Sequence, residues 1–138
     1  MKRARLIIPV TFLLLSLTAY GQKIKTGNMI SIHEVEYTLE DGMTFEQLEK
    51  LYLEEYKPAI EKNFPGVEIH LLKGERGERT GKYIESLVFD SLEDRNRWWP
   101  ENGKSSEEAK QAFDNMREIQ DRMMKMVSSH TFTGYVVL

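Results

Sequence analysis

The amino-acid sequence predicts an α+β domain: a four-stranded antiparallel sheet with helices on one face. Three observations lead there. Four short segments are rich in β-branched and aromatic residues, whereas two longer ones space their apolar residues by three and four. These segments follow one another in the order β-α-β-β-α-β. The helical segments open on a Thr or Ser with an acid or amide three residues on, the local signature of a helix start.

The first strand is expected at about residues 29–39, where His33, Val35, Tyr37 and Leu39 alternate against Ile30 and Ile32. The phase of that alternation changes near His33, which predicts either a bulge or a strand buried on both faces at one end. Asp41-Gly42 turns the chain, and Thr44-Phe45-Glu46-Gln47 forms a capping box. The helix behind it presents Phe45, Leu48, Leu51, Tyr52, Tyr56, Ala59 and Ile60 as one stripe, with a kink or break expected at Pro58. Residues 67–72 form the second strand and 82–89 the third, joined as a long hairpin by the charged loop 74–81. Ser91 caps a short helix reaching Trp98-Trp99 and stopping at Pro100. A capping box of Ser105 with Glu108 opens a long helix that ends near Ser128-Ser129, and residues 131–138 form the last strand. This element order is the ferredoxin-like split βαβ arrangement. Apolar residues expected on the uncovered sheet face, among them Tyr83, Ile84, Val88, Tyr135 and Val137, call for a second subunit, most simply in a C2 homodimer.

The N-terminus carries a different message. Lys2, Arg3 and Arg5 precede an apolar run from Leu6 to Leu17, and Ala19-Tyr20-Gly21 places small residues at a cleavage position. Residues 1–21 therefore read as a signal peptide, with Gln22 as the mature N-terminus, residues 22–28 as a flexible lead-in and residues 29–138 as the domain. The run is short for a membrane span, and no cysteine follows the cut to accept a lipid. An exported protein, periplasmic or secreted, with no membrane attachment after cleavage is the expectation. Cleavage leaves 117 residues, enough for one core, and a net charge of −6 from 16 basic and 22 acidic residues. A net negative domain without a basic stripe is poorly suited to nucleic acid. The absence of cysteine excludes thiol catalysis, Cys-ligated zinc and iron–sulfur clusters.

The element order, the step Phe89-Asp90-Ser91-Leu92-Glu93 from third strand to helix, and Trp98-Trp99 together resemble the dimeric α/β-barrel superfamily. That group includes antibiotic-biosynthesis-monooxygenase-like and NIPSNAP-like domains. The resemblance covers about residues 29–138 and implies two sheets facing each other across a dimer, each subunit with a cleft between sheet and helices. Members range from cofactor-free oxygenases and small-lactone isomerases to haem-degrading enzymes and domains without assigned activity. The haem-degrading branch has an Asn on the first strand and a His on the long helix. Here the aligned Asn is missing, and residues 105–127 contain no histidine.

Candidate ligand-pocket residues are His33, His70, Tyr83, Trp98, Trp99 and Tyr135. His33 and His70 are mid-strand imidazoles able to polarise a ligand or act as a base. Tyr83 or Tyr135 could offer a phenol, and Trp98 or Trp99 a stacking wall, unless the indoles merely plug the barrel end or dimer seam. His130, at a strand entrance, is expected to be solvated. Glu34, Glu36, Glu68 and Glu85 are strand carboxylates that would serve acid/base work only if two met across a cleft. The loop 74–81 lacks the Gly-Lys-Ser/Thr ending of a phosphate loop and joins two strands. No metal motif and no cofactor motif appears. The expected protein is an exported homodimer that binds a small apolar or aromatic molecule, with cofactor-independent monooxygenase or isomerase chemistry. The alternatives are a non-catalytic interaction module with a filled barrel and a haem-binding protein.

Overall fold

A computed structural model describes residues 23–101 and 103–138; the expected signal peptide lies outside them. Four strands, β1 (Met29–Tyr37), β2 (Val67–Lys73), β3 (Tyr83–Phe89) and β4 (Val127–Val136), form one antiparallel sheet in the order β2-β3-β1-β4. This is the ferredoxin-like α+β arrangement. The register assigns the faces. Met29, Ser31, His33 and Val35 of β1 lie opposite Phe89, Leu87, Glu85 and Tyr83 of β3, and Val67 and Ile69 of β2 continue the same face. Met29, Val67, Ile69, Leu87 and Phe89 belong to the core, so the odd-numbered residues of β1, β2 and β3 face the helices.

The first helical segment is not broken at Pro58, where a kink or a break was expected; its departure from α-helical geometry lies just upstream. α1 (Phe45–Leu51) passes through a π-helical turn (Tyr52–Tyr56) into α2 (Lys57–Asn63). Proline cannot donate to the carbonyl four residues back and crowds it. The wider turn just upstream accommodates this, with the Lys57 N–H donating to the carbonyl of Tyr52, five residues back. Leu48, Tyr52, Ile60 and Phe64 are buried along the continuous helix. The capping box at Thr44 and Gln47 is present as expected.

Four further expectations are answered by the structure. The irregularity of β1 lies not at His33 but between Glu36 and Tyr37, where Ser128 is the extra residue on β4 and donates its hydroxyl to the Glu36 carbonyl at 3.1 Å. The change of phase at His33 instead marks a strand with apolar residues on both faces: Met29 is buried toward the helices while Ile30 and Ile32 are half-buried on the other side. The second helical segment begins one residue late, because Ser106, not Ser105, caps it by accepting from the Ala109 N–H at 3.1 Å. Glu108 pairs with Arg97 of α3 (Leu92–Trp98) instead of closing a box. That segment is also split at Met116 (φ −121°, ψ 23°) into α4 (Glu107–Asn115) and α5 (Arg117–Met126). β4 then starts directly at Val127, four residues earlier than the composition suggested.

The end of the lead-in is tied down. Buried Asn28 accepts from the Lys25 N–H at 2.8 Å and donates to the Asp90 carbonyl at 3.0 Å, and the Gly27 N–H donates to the Val137 carbonyl at 2.8 Å. Substituting Asn28→Ala should cost about 1–3 kcal/mol, since buried polar groups lose their partners. Urea denaturation of the variant against the parent protein measures it, and an unchanged midpoint would show that the anchor carries no weight.

Candidate functional site

The helix face of the sheet does not pack solidly against the helices. A cavity of about 200 Å³ remains between them, lined mostly by apolar side chains such as Ile69, Leu87, Met123 and Trp99. Its polar groups belong to His33, Tyr56, Glu85, Gln120 and His130. Two of the expected residues are therefore here. His33 and Trp99 line the cavity, the indole stacking face to face on Phe64 at 5.5 Å between ring centroids.

The other four lie elsewhere. His70 and Tyr135 pair with Ser86 and Ile30 and so occupy the opposite sheet face, where His70 meets Glu68 at 3.0 Å. Trp98, the last residue of α3, is buried in the core edge-on to Phe64. Tyr83 faces the helices, not the open side, and donates to Glu49 at 2.6 Å while stacking on Phe45. His130 is exposed but reaches the cavity wall, its Nε2 at 2.7 Å from His33 Nδ1.

The electrostatic centre of the cavity is Glu85. Its Cα pairs with that of His33 across β1 and β3, and its Oε1 accepts from the Tyr37 hydroxyl at 2.6 Å. Burial pushes the carboxyl above its ordinary value, and the Tyr37 hydrogen bond opposes this only in part. Tyr37, Tyr52 and Tyr56 are all pushed up, first by burial and then by the nearby Glu85 charge. Phenols so placed stay neutral. The Tyr52 hydroxyl and the Gln120 Oε1 are buried without a hydrogen-bond partner among the described residues.

His33 is shifted the other way, down to about 4, by burial first and by His130 second. Its Nε2 lies 2.8 Å from Ser31 Oγ. His33 also stacks against the rings of His130 and Phe132, at 4.9 and 5.4 Å between centroids. Among the described residues no cluster of three or more His, Asp or Glu could hold a metal ion, and no helix is long and apolar enough to cross a membrane.

Sequence reasoning missed the tyrosines and Gln120 as site residues; His130 is exposed as expected, and its ring also reaches the cavity wall. The signal for Glu85 was present: it and His33 are polar residues set into the odd-numbered apolar stripes of their strands, whereas His70 is out of phase with its stripe.

A ferredoxin-like sheet with its helices on one face defines the class, and solved structures share this fold. The chain is similar to a NIPSNAP family protein from Agrobacterium tumefaciens, with a TM-score of 0.58, 12% identity, and coverage of 84% of this chain and 90% of that one. It is also similar to an uncharacterized NIPSNAP-like domain protein from Burkholderia xenovorans (TM-score 0.55, 9% identity, 83% and 88% covered). A further NIPSNAP family protein of unknown function from Agrobacterium tumefaciens gives 0.52 at 14% identity, with 79% and 86% covered. No family model matches the chain, and no curated protein does. The expected resemblance is thus shown at the level of the fold, and identities this low leave the chemistry to the residues themselves.

The two shifted groups have opposite signatures. His33 resists protonation when folded, so its contribution is present above the ordinary value of 6.5 and is lost as pH falls to about 4. Glu85 keeps its proton when folded, so its contribution is present below the ordinary value of 4.5 and is lost as pH rises through the raised one. Urea midpoints across pH should show His33→Gln flattening the acid-side loss and Glu85→Gln flattening the loss toward neutral pH. Profiles parallel to the parent's would remove both assignments.

Proposed function

We propose that this protein, exported and homodimeric, binds a small, largely apolar or aromatic carbonyl compound in the cavity between sheet and helices. The observation that carries this reading is Glu85: a carboxyl held toward its neutral form in an otherwise apolar cavity. A neutral carboxyl can donate a hydrogen bond to a ligand oxygen, which an ionised one cannot. Polarising a carbonyl in this way is the first requirement of cofactor-independent chemistry on an enolisable or acyl compound. Gln120 Oε1 offers an acceptor to a ligand donor, and Trp99 supplies a flat wall. The volume of about 200 Å³ lies below the ~300–1,000 Å³ of pockets for drug-sized molecules, which favours a ligand of one ring. The polarising role passes from the histidines to Glu85, because both nitrogens of His33 are engaged. The same engagement, with a cavity this small, speaks against haem, and an open cavity speaks against a filled module.

Acetophenone is a suitable probe. Its carbonyl stretch should move to lower frequency on binding and Trp fluorescence should change, with the carbonyl shift lost in Glu85→Leu. Met124→Trp, at the half-exposed rim, should block binding without touching the core. Binding that ignores both substitutions would place the ligand elsewhere.

Support for the dimer comes from β4, which contains no buried residue and exposes Phe132 (68%), Tyr135 (53%) and Val136 (53%). A long edge strand that exposes large apolar side chains is normally covered. Support for export comes from the basic and apolar pattern of residues 1–21. The protein recovered from a secreting host should have the mass of residues 22–138 and scatter light as twice that mass. A full-length or monomeric product would remove the corresponding half of this reading.

A further inference from the structure

Ser31, His33 and His130 form a chain that the cavity reading does not use. Ser31 Oγ lies 2.8 Å from His33 Nε2, and His33 Nδ1 lies 2.7 Å from His130 Nε2. This is the order of contacts that activates a hydroxyl nucleophile: the base meets the hydroxyl through one ring nitrogen and an orienting group through the other. The strand geometry produces it from separate parts of the chain. Ser31 and His33 are two apart on β1 and project to the same face, and His130 arrives from the adjacent edge strand opposite Val35.

The residue opposite Ser31 on β4 is Gly134, and the terminal methyl of Met29 packs into the place a Cβ there would take, so a substrate reaches the hydroxyl from the His33 side. Ser31 itself is half-buried. The cavity begins at the next residue on this face, His33, and Glu85 lies across from it on β3.

We propose that Ser31 is a nucleophile for acyl transfer, with His33 as its general base, His130 as the residue positioning that base, and small apolar esters as substrates. The proposal rests on the cavity reading, since the apolar part of the ester occupies the cavity and its carbonyl oxygen accepts from Glu85. Ser31 Oγ attacks the carbonyl carbon as His33 Nε2 takes its proton. Collapse breaks the acyl C–O bond, and the proton passes from His33 to the departing alkoxide. Water then repeats the sequence on the acyl-serine and releases the acid. His130 accepts from His33 Nδ1–H and so holds the tautomer in which Nε2 is free to receive the proton. The titratable groups facing His33 are Glu85 from β3, His130 from β4 and Tyr56 from the π-helical turn. Burial and His130 keep the imidazole neutral well below neutral pH, as a base must be.

Diisopropyl fluorophosphate tests this on the intact protein. The hydroxyl oxygen displaces fluoride from phosphorus, leaving a diisopropylphosphoryl serine and the proton on His33. Peptide mass analysis should place one adduct on Ser31, with none in Ser31→Ala. His33→Gln should label about a hundred-fold or more slowly, the usual size of a general-base contribution. His130→Phe keeps an aromatic ring for the stack but removes the acceptor. It should slow labelling and raise the midpoint of the pH–rate profile, which a purely structural role would not do. No adduct, an adduct at another residue, or equal rates in the parent protein and His33→Gln would overturn the proposal. An unmoved profile in His130→Phe would overturn the positioning role. Acetophenone binding to the parent protein separates the two readings: binding without labelling removes only the nucleophile, whereas neither removes both.

Discussion

The pairing of β1 with β3 is the constraint on which the rest depends. These are the two inner strands, and their register sets Met29 against Phe89, Ser31 against Leu87 and His33 against Glu85. Side chains alternate across a strand, so a slip of one residue would turn the whole set to the other face. Ile30, Ile32, Ile84 and Val88 would then meet the helices, and His33 and Glu85 would face outward. The apolar residues at the Phe89 end hold that register. The polar residues farther along the same face are carried into position by it.

Burying a carboxyl this way has a consequence for every group around it. Among the described residues no Lys or Arg lines the cavity beside Glu85; its close partner is the Tyr37 hydroxyl, and two further phenols lie in its field. Without a positive partner, the desolvation of a charge is offset most readily by keeping the proton. The result is a neighbourhood of neutral donors around a neutral imidazole. Electrostatic interactions are strong in such a place because the local dielectric is low.

Much of the fold was legible in the sequence because its signals are local. Thr44 and Gln47 announce a helix start within four residues, and the alternation of β3 can be read along one strand. The misjudged points depend on partners far away in the chain. Ser106 rather than Ser105 became the cap, and its N–H donates to the Trp98 carbonyl at 2.9 Å. The break at Met116 carries no Gly or Pro to mark it. The site was less legible for the same reason. His33 and Trp99 were identified by residue type, but sequence spacing could not say that residue 130 lies beside residue 33. His70 and Tyr135 are equally plausible by type, and only strand parity separates them from the cavity, whereas Tyr83 shares the cavity's face but lies against Glu49 and Phe45.

The π-helical turn at Tyr52–Tyr56 ties helix geometry to the cavity in a further way. A wide turn of this kind holds one more residue than the α-helix around it, and such an irregularity can in principle travel along a helix by exchanging hydrogen bonds one residue at a time. Pro58 has no N–H with which to take part in that exchange. The extra residue is therefore stopped on its C-terminal side, one residue beyond the Lys57 N–H that reaches back to Tyr52. With the wide turn pinned there, both tyrosines keep a fixed rotation about the helix axis. The proline expected to interrupt this helix acts instead as its ratchet, holding the phenols turned toward Glu85.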